Sequence, residues 1–239
     1  MDLVTFTHVV LNGSMSDAAA DFWAAALGGT WRAASPDPRR DASLVQPGGD
    51  PYVHRPGHGR VAPALLLEVD DVTASARRLL ALGASPTGDD GLRSPGGLAF
   101  ALVPAHERKV RAPAARWSDG TTSRLVQLCL DCPADAAEAE AGFWRSATGW
   151  TWRDADSPEF VGHLVPDAGP LQLLVQRRAS ALPRTVTLHL DLGTSDREAE
   201  AGRLVGLGAT RGATGGGWIV LTDPDGRTFC ATGQPPEAP

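Results

Sequence analysis

From Thr185 to Leu192 polar and apolar side chains alternate with the period of two that marks a strand with one wet face, and Leu125 to Asp131 is a nearly unbroken apolar run. Between them the spacing becomes helical over Ala134 to Ala147, with Pro133 suited to the first turn and Gly149 to the stop. Short strands follow near Trp150 to Asp154, Phe160 to Val165 and Leu171 to Gln176, separated by Pro- and Gly-rich punctuation. The second helix runs from Asp196, a capping residue, to Leu207, with Gly208 ending it and three more strands after it. The first part of the chain reads the same way, with strands at Val4 to Leu11 and Ala64 to Val69 and helices at Asp17 to Leu27 and Asp71 to Leu82. Each half is therefore predicted as βαβββ-βαβββ, an α+β pattern.

The halves are copies. Phe22-Trp23, Gly28 and Thr30-Trp31-Arg32 recur as Phe143-Trp144, Gly149 and Thr151-Trp152-Arg153, a shift of 121 from residue 22 to residue 143. Arg78-Leu79 and Leu82-Gly83-Ala84 recur as Arg203-Leu204 and Leu207-Gly208-Ala209, shifted by 125 from residue 78 to residue 203. A repeat of this length decides architecture before local propensity does. The expected division is 1–104 for the first domain, 105–123 for a polar linker rich in Arg, Ala and Ser, and 124–233 for the second domain. The Phe-Trp pairs lie among alanines on their helices and read as packing residues.

Composition narrows the chemistry. The net charge of −6 over 239 residues argues against a nucleic-acid partner, which needs clustered cations. No window approaches the ~18 apolar residues of a spanning helix, and the start has no signal-peptide pattern, so a cytoplasmic protein without a membrane partner is expected. Lys109 is the single lysine among many arginines, as in GC-rich bacterial genomes. Cys129, Cys132 and Cys230 make an odd set, expected as thiols; the Cys129/Cys132 CxxC is weak as a redox or zinc motif because residues three apart on a strand face opposite ways.

The paired Phe-Trp blocks, His189-Leu190-Asp191-Leu192, Leu207-Gly208-Ala209 and Trp218 to Val220 before Asp223-Pro224-Asp225-Gly226…Phe229-Cys230 resemble the vicinal oxygen chelate superfamily of glyoxalase I, bleomycin-resistance proteins and extradiol dioxygenases. The chain is similar to its glyoxalase-like branch. The resemblance implies tandem domains in which two βαβββ modules curve eight strands into a cup, with a divalent metal held in many members from the first, fifth and last strands, the last ligand normally a glutamate. Those positions fall on Gln127, His189 and Cys230 in the second half, and on His8, Ala64 and Ala101 in the first. Fourth-strand candidates are Gln172 and Gln176, with His54 near the equivalent region. The glutamate is missing in both halves, so the first domain reads as degenerate and no metal is expected in the second, where Gln127, His189 and Cys230 would make a weak, atypical soft set and read first as a polar cup lining.

Two readings of the second cup stay open. In one, Gln127, His189, Cys230 and Gln176 orient a small molecule against Trp150, Trp152 and Trp218, in the manner of a resistance or sequestration protein. In the other, a lyase, isomerase or dioxygenase uses an unusual metal set or none, and no catalytic residue is assigned. A filled cup would favour a third, structural or interaction, role. Asp191 shares the face of His189 and could orient it or act as a base, but an exposed aspartate at a strand end is the preferred reading. His8 reads as a satisfied core or rim histidine. The 223–226 block reads as a turn. His58, His163 and the arginine-rich stretch from Pro36 to Arg40 are expected on loops. Covalently joined domains form an intrachain pseudo-dimer, as a monomer or a homodimer.

Overall fold

The computed structural model describes residues 3–11, 13, 15–34, 41–57, 64–88, 91–105, 109–179 and 183–237. His58 and the stretch from Pro36 to Arg40 lie outside them. The first half comprises β1 (Phe6–Val10), α1 (Asp17–Leu27), β2 (Thr30–Ala33), β3 (Ala42–Val45), β4 (Val53–Arg55), β5 (Leu65–Val69), α2 (Val72–Ala81), β6 (Ser85–Pro86), β7 (Leu92–Arg93) and β8 (Ala99–Pro104). After β9 (Ala115–Arg116), the second half repeats the order as β10 (Thr122–Pro133), α3 (Ala137–Thr148), β11 (Thr151–Asp154), β12 (Phe160–Val165), β13 (Gln172–Arg178), β14 (Thr187–Thr194), α4 (Arg197–Gly206), β15 (Thr210–Thr214), β16 (Trp218–Thr222) and β17 (Thr228–Thr232). The βαβββ unit occurs four times, as the repeat predicts.

Each half builds one sheet. The orders are β2-β3-β4-β1-β5-β8-β7-β6 and β11-β12-β13-β10-β14-β17-β16-β15, with β9 added to the start of β10. In both sheets the first strands of the two modules run antiparallel at the centre, and each pairs in parallel with the last strand of its own module.

Local chemistry sets the helix ends. The Asp196 carboxylate accepts from the backbone N–H groups of Glu198 and Ala199, and Ser16 and Asp71 do the same for α1 and α2. Helix α3 departs from expectation. It begins at Ala137 rather than Ala134, has no side-chain cap, and Pro133 closes β10 instead of opening the helix. A turn from Pro133 O to Ala136 N intervenes.

The hydrophobic core is continuous through both halves because the Phe-Trp helices reach across. Phe22 and Trp23 of α1 pack on Phe229 of β17 in the other half, Phe22 tilted and Trp23 edge-on, with ring centroids 5.7 and 5.1 Å away. Phe143 and Trp144 of α3 pack on Phe100 of β8 at 6.2 and 5.2 Å. Trp23 Nε1 also donates to Asp223 Oδ2 at 2.8 Å. Two arginines complete the exchange, each answering the negative end of a helix in the other half. Arg203 donates to the carbonyls of Ala25 and Ala26 on α1, and Arg78 to those of Ser146 and Ala147 on α3.

Candidate functional site

Every second residue of a strand faces the same way, so Gln127, Cys129 and Asp131 of β10 share the concave face of the second sheet with His189 and Asp191 of β14. The register sets Cys129 opposite His189 and Gln127 opposite Asp191. Asp191 in turn lies beside Cys230 of β17. A cavity of about 1290 Å³ opens over these residues, above the ~300–1,000 Å³ usual for small-molecule sites. Its walls are largely apolar, with Phe160, Leu174, Leu188, Val220 and Trp218 among them, and it extends to Val10 and Ala64 of the first half.

The sheet curls hard around this space. Phe160 on β12 and Trp218 on β16 are five strand spacings apart along the sheet order, about 24 Å on a flat sheet. Their rings nevertheless meet edge to face at 5.9 Å, bridging the cup from rim to rim. Gly215 permits the seat of Trp218, since a Cβ there would stand 2.3 Å from the indole.

A hydrogen-bonded chain forms the floor. Asp131 Oδ2 holds His189 Nδ1 at 2.7 Å, and Asp191 Oδ1 stands 3.5 Å from Nε2, an ion-pair distance rather than a short hydrogen bond. Gln127 Nε2 donates to the other oxygen of Asp191 at 2.6 Å, and Gln127 Oε1 accepts from Gln234 Nε2 at 2.8 Å. Cys129 Sγ donates to Gln176 Oε1 at 3.1 Å. Burial opposes charge on His189, but hydrogen bonds with Asp131 and Asp191, then with Cys129 and Cys230, outweigh it and hold the imidazole well above its ordinary range. Burial pushes both the Cys129 and the Cys230 thiols up. One donor atom each from Cys129, His189 and Asp191 lie within 4.8 Å of one another.

The first cup differs. His8 Nδ1 meets His54 Nε2 at 2.9 Å, His8 Nε2 meets Glu68 Oε1 at 3.0 Å, and Ser43 Oγ meets His54 Nδ1 at 2.9 Å. Lys109, from the segment between the halves, sets its ammonium 3.1 Å from Glu68 Oε2. His8 is thus a partnered, buried histidine, and polar side chains occupy this face. Burial, then the neighbouring His8, pushes His54 down to about 4, against a smaller opposing pull from Asp41.

Of the residues expected to line the second cup, Gln127, Gln176, His189, Trp218 and Cys230 do so. Trp152 does not. It lies on the helix side of the sheet, its ring under the Arg145 guanidinium at 4.8 Å and over Gly162, where a Cβ would come within 2.3 Å. Trp150 is buried between the halves and donates to Val4 O at 2.9 Å. His163, expected on a loop, is on β12 and faces the cavity, where burial pushes its pKa down. Cys129, Asp131, Phe160 and Gln234 belong to the cavity without having been singled out for it. The signal for the first two was present, two and four residues after Gln127 on one strand.

A glyoxalase-like domain model matches residues 8–103 and again 127–232, covering most of the sequence in two successive copies. The chain belongs to the glyoxalase-like domain family. Solved structures agree on the fold. The Mn(II)-bound glyoxalase from Novosphingobium aromaticivorans superposes with a TM-score of 0.67 at 17% identity, over 97% of this chain and 83% of that one. The 2,2',3-trihydroxybiphenyl 1,2-dioxygenase of Sphingomonas wittichii strain RW1 gives 0.59 at 14% identity, covering 97% and 90%. A mutant of 4-hydroxymandelate synthase from Streptomyces coelicolor gives 0.57 at 14%, covering 96% and 93%. No curated protein matches the sequence. In this glyoxalase-like chain, the last-strand position that the family resemblance assigns to a glutamate is Cys230 in one half and Ala101 in the other. Among the described residues no helix is long and apolar enough to cross a membrane.

Proposed function

We propose that the second glyoxalase-like half, residues 124–233, binds a compact organic molecule in its cup, while the first half, residues 1–104, completes the core and carries a degenerate site. The cavity with a polar floor and a ring-lined rim is the observation that carries this reading. Gln127, His189 and Gln176 orient the ligand's polar groups, Phe160 and Trp218 hold its apolar face, and Gln234 offers a buried side-chain oxygen, Oε1, with no hydrogen-bond partner among the described residues. Sequestration of an unaltered ligand, as in a resistance protein, suits a cup whose family ligand positions have lost their glutamate.

Uptake of an apolar fluorescent probe, anilinonaphthalene sulfonate, tests it, with catechol and 2,2',3-trihydroxybiphenyl as competitors. The wild-type chain is expected to bind the probe saturably, and Val220→Trp, which narrows the cavity beside Trp218, to lose at least about tenfold in affinity. Equal uptake by both proteins would overturn the reading.

An enzymatic reading of the lyase, isomerase or dioxygenase kind has one observation in its favour, His189 held between two carboxylates. Ligand recovered chemically changed, with conversion lost in His189→Ala, would establish it in place of sequestration.

A further inference from the structure

The duplication supplies an internal control. In the first half the pairing that corresponds to Gln127 with Asp191 is His8 with Leu66, and the position of Cys129 beside His189 is taken by Val10, whose N–H bonds to Ala64 O. At these three positions the first sheet has valine, alanine and leucine where the second half has a thiol, an imidazole and a carboxylate. Three buried or half-buried donors replacing three apolar residues at one spot add desolvation cost without serving the fold.

We propose that Cys129, His189 and Asp191 form a site for a thiophilic divalent cation of the zinc class, displaced by one pleat from the Gln127, His189 and Cys230 set that the family resemblance implies. The inference rests on the reading of the second cup as the functional one. Ligands bonded to zinc at 2.0–2.3 Å in a tetrahedron stand roughly 3.3–3.8 Å apart. The three donors, within 4.8 Å of one another, need to close by only about an ångström. Gln127 is not a fourth ligand. Its amide nitrogen grips Asp191 Oδ2 and its oxygen takes the Gln234 amide, so it positions Asp191 with Oδ1 turned toward His189.

Asp131 does the corresponding work for the imidazole. Its bond to Nδ1 directs Nε2 toward Asp191, the carboxylate–histidine arrangement that orients metal-binding histidines. Three protein ligands leave the fourth tetrahedral position to face the cavity, where a ligand oxygen can enter. A thiolate in the set disfavours hard ions such as Mn(II) and Mg(II) and favours Zn(II) and Co(II).

Cobalt reports directly on the donor atoms. Full-length protein, dialysed against chelator and kept reduced with a phosphine, is titrated with Co(II). The expected result is an intense tetrahedral visible spectrum with a thiolate-to-cobalt charge-transfer band, displaced by Zn(II) but not by Mn(II). Cys129→Ser should abolish the charge-transfer band, whereas Cys230→Ser and Cys132→Ser should keep it. Asp191→Asn should keep the band and weaken Co(II) binding on the order of 100-fold. Circular dichroism establishes that each variant is folded. A band lost in Cys230→Ser and retained in Cys129→Ser would restore the family's set and overturn the proposal, as would the absence of any cobalt complex in the wild type. Failure here with anilinonaphthalene sulfonate still bound sinks the metal site alone, because the cup itself would remain proven.

Discussion

At the residue scale, the two cups show how similar strands hold buried polar groups in different ways. In the first, His54 is kept neutral by burial and by the adjoining His8, with its pKa near 4 rather than 6.5. The unfolded chain therefore takes up this proton first as pH falls. The stabilisation is complete above pH 6.5 and is lost between 6.5 and about 4, with a maximum of about 3 kcal/mol. Urea unfolding followed from neutral pH to about pH 4 should show a shallower decline for His54→Asn than for the wild type. Parallel declines would place the acid sensitivity elsewhere. His189 shows what was readable from sequence at this scale and what was not. The family resemblance puts it in the cup with Gln127 and Cys230, but its partner Asp131 sits 58 residues away on another strand, and only the pairing register brings the two together. As half of a CxxC, Cys129 carries little signal in the sequence. The strand does turn Cys132 away into the core, and the same turn delivers Cys129 to the floor of the cavity.

At the element scale, helices announce their ends through local chemistry, and the reading from residue 196 to 208 held because Asp196 and Gly208 act within their own turns. The α3 start was misplaced by three residues because Pro133, acceptable in a first helical turn, is equally acceptable as the last residue of a strand. Phe22-Trp23 was legible as a packing pair, yet its counterpart was not, since Phe229 and Asp223 belong to the other copy. Trp23 is fully buried, and its indole N–H is satisfied only by Asp223 among the described residues. Trp23→Phe is expected to destabilise the protein by about 2 kcal/mol, through the lost hydrogen bond and the smaller ring. A shift in urea midpoint with unchanged slope would show it. Trp31→Phe supplies the comparison, because Trp31 donates to Ala20 of its own half and should cost less.

At the scale of the whole molecule, the two sheets are separate but the core between them is shared. The family's domain boundary in sequence is thus no boundary in packing. Thermal unfolding is expected to give one cooperative transition, with tryptophan fluorescence and far-ultraviolet circular dichroism coinciding. Residues 124–233 produced alone should self-associate, because Phe143, Trp144 and Phe229 lose the rings that cover them. Two resolved transitions, or a monomeric fragment, would contradict this. The crossing of the Phe-Trp helices also bears on how the chain is made. Trp23 waits for Asp223, 200 residues downstream, before its hydrogen bond can form. A ribosome adding about 5–20 residues per second leaves that aromatic pair uncovered for on the order of 10–40 s. Throughout that interval the nascent first half presents an uncovered apolar helix face, which only the arrival of Phe229 and Asp223 closes.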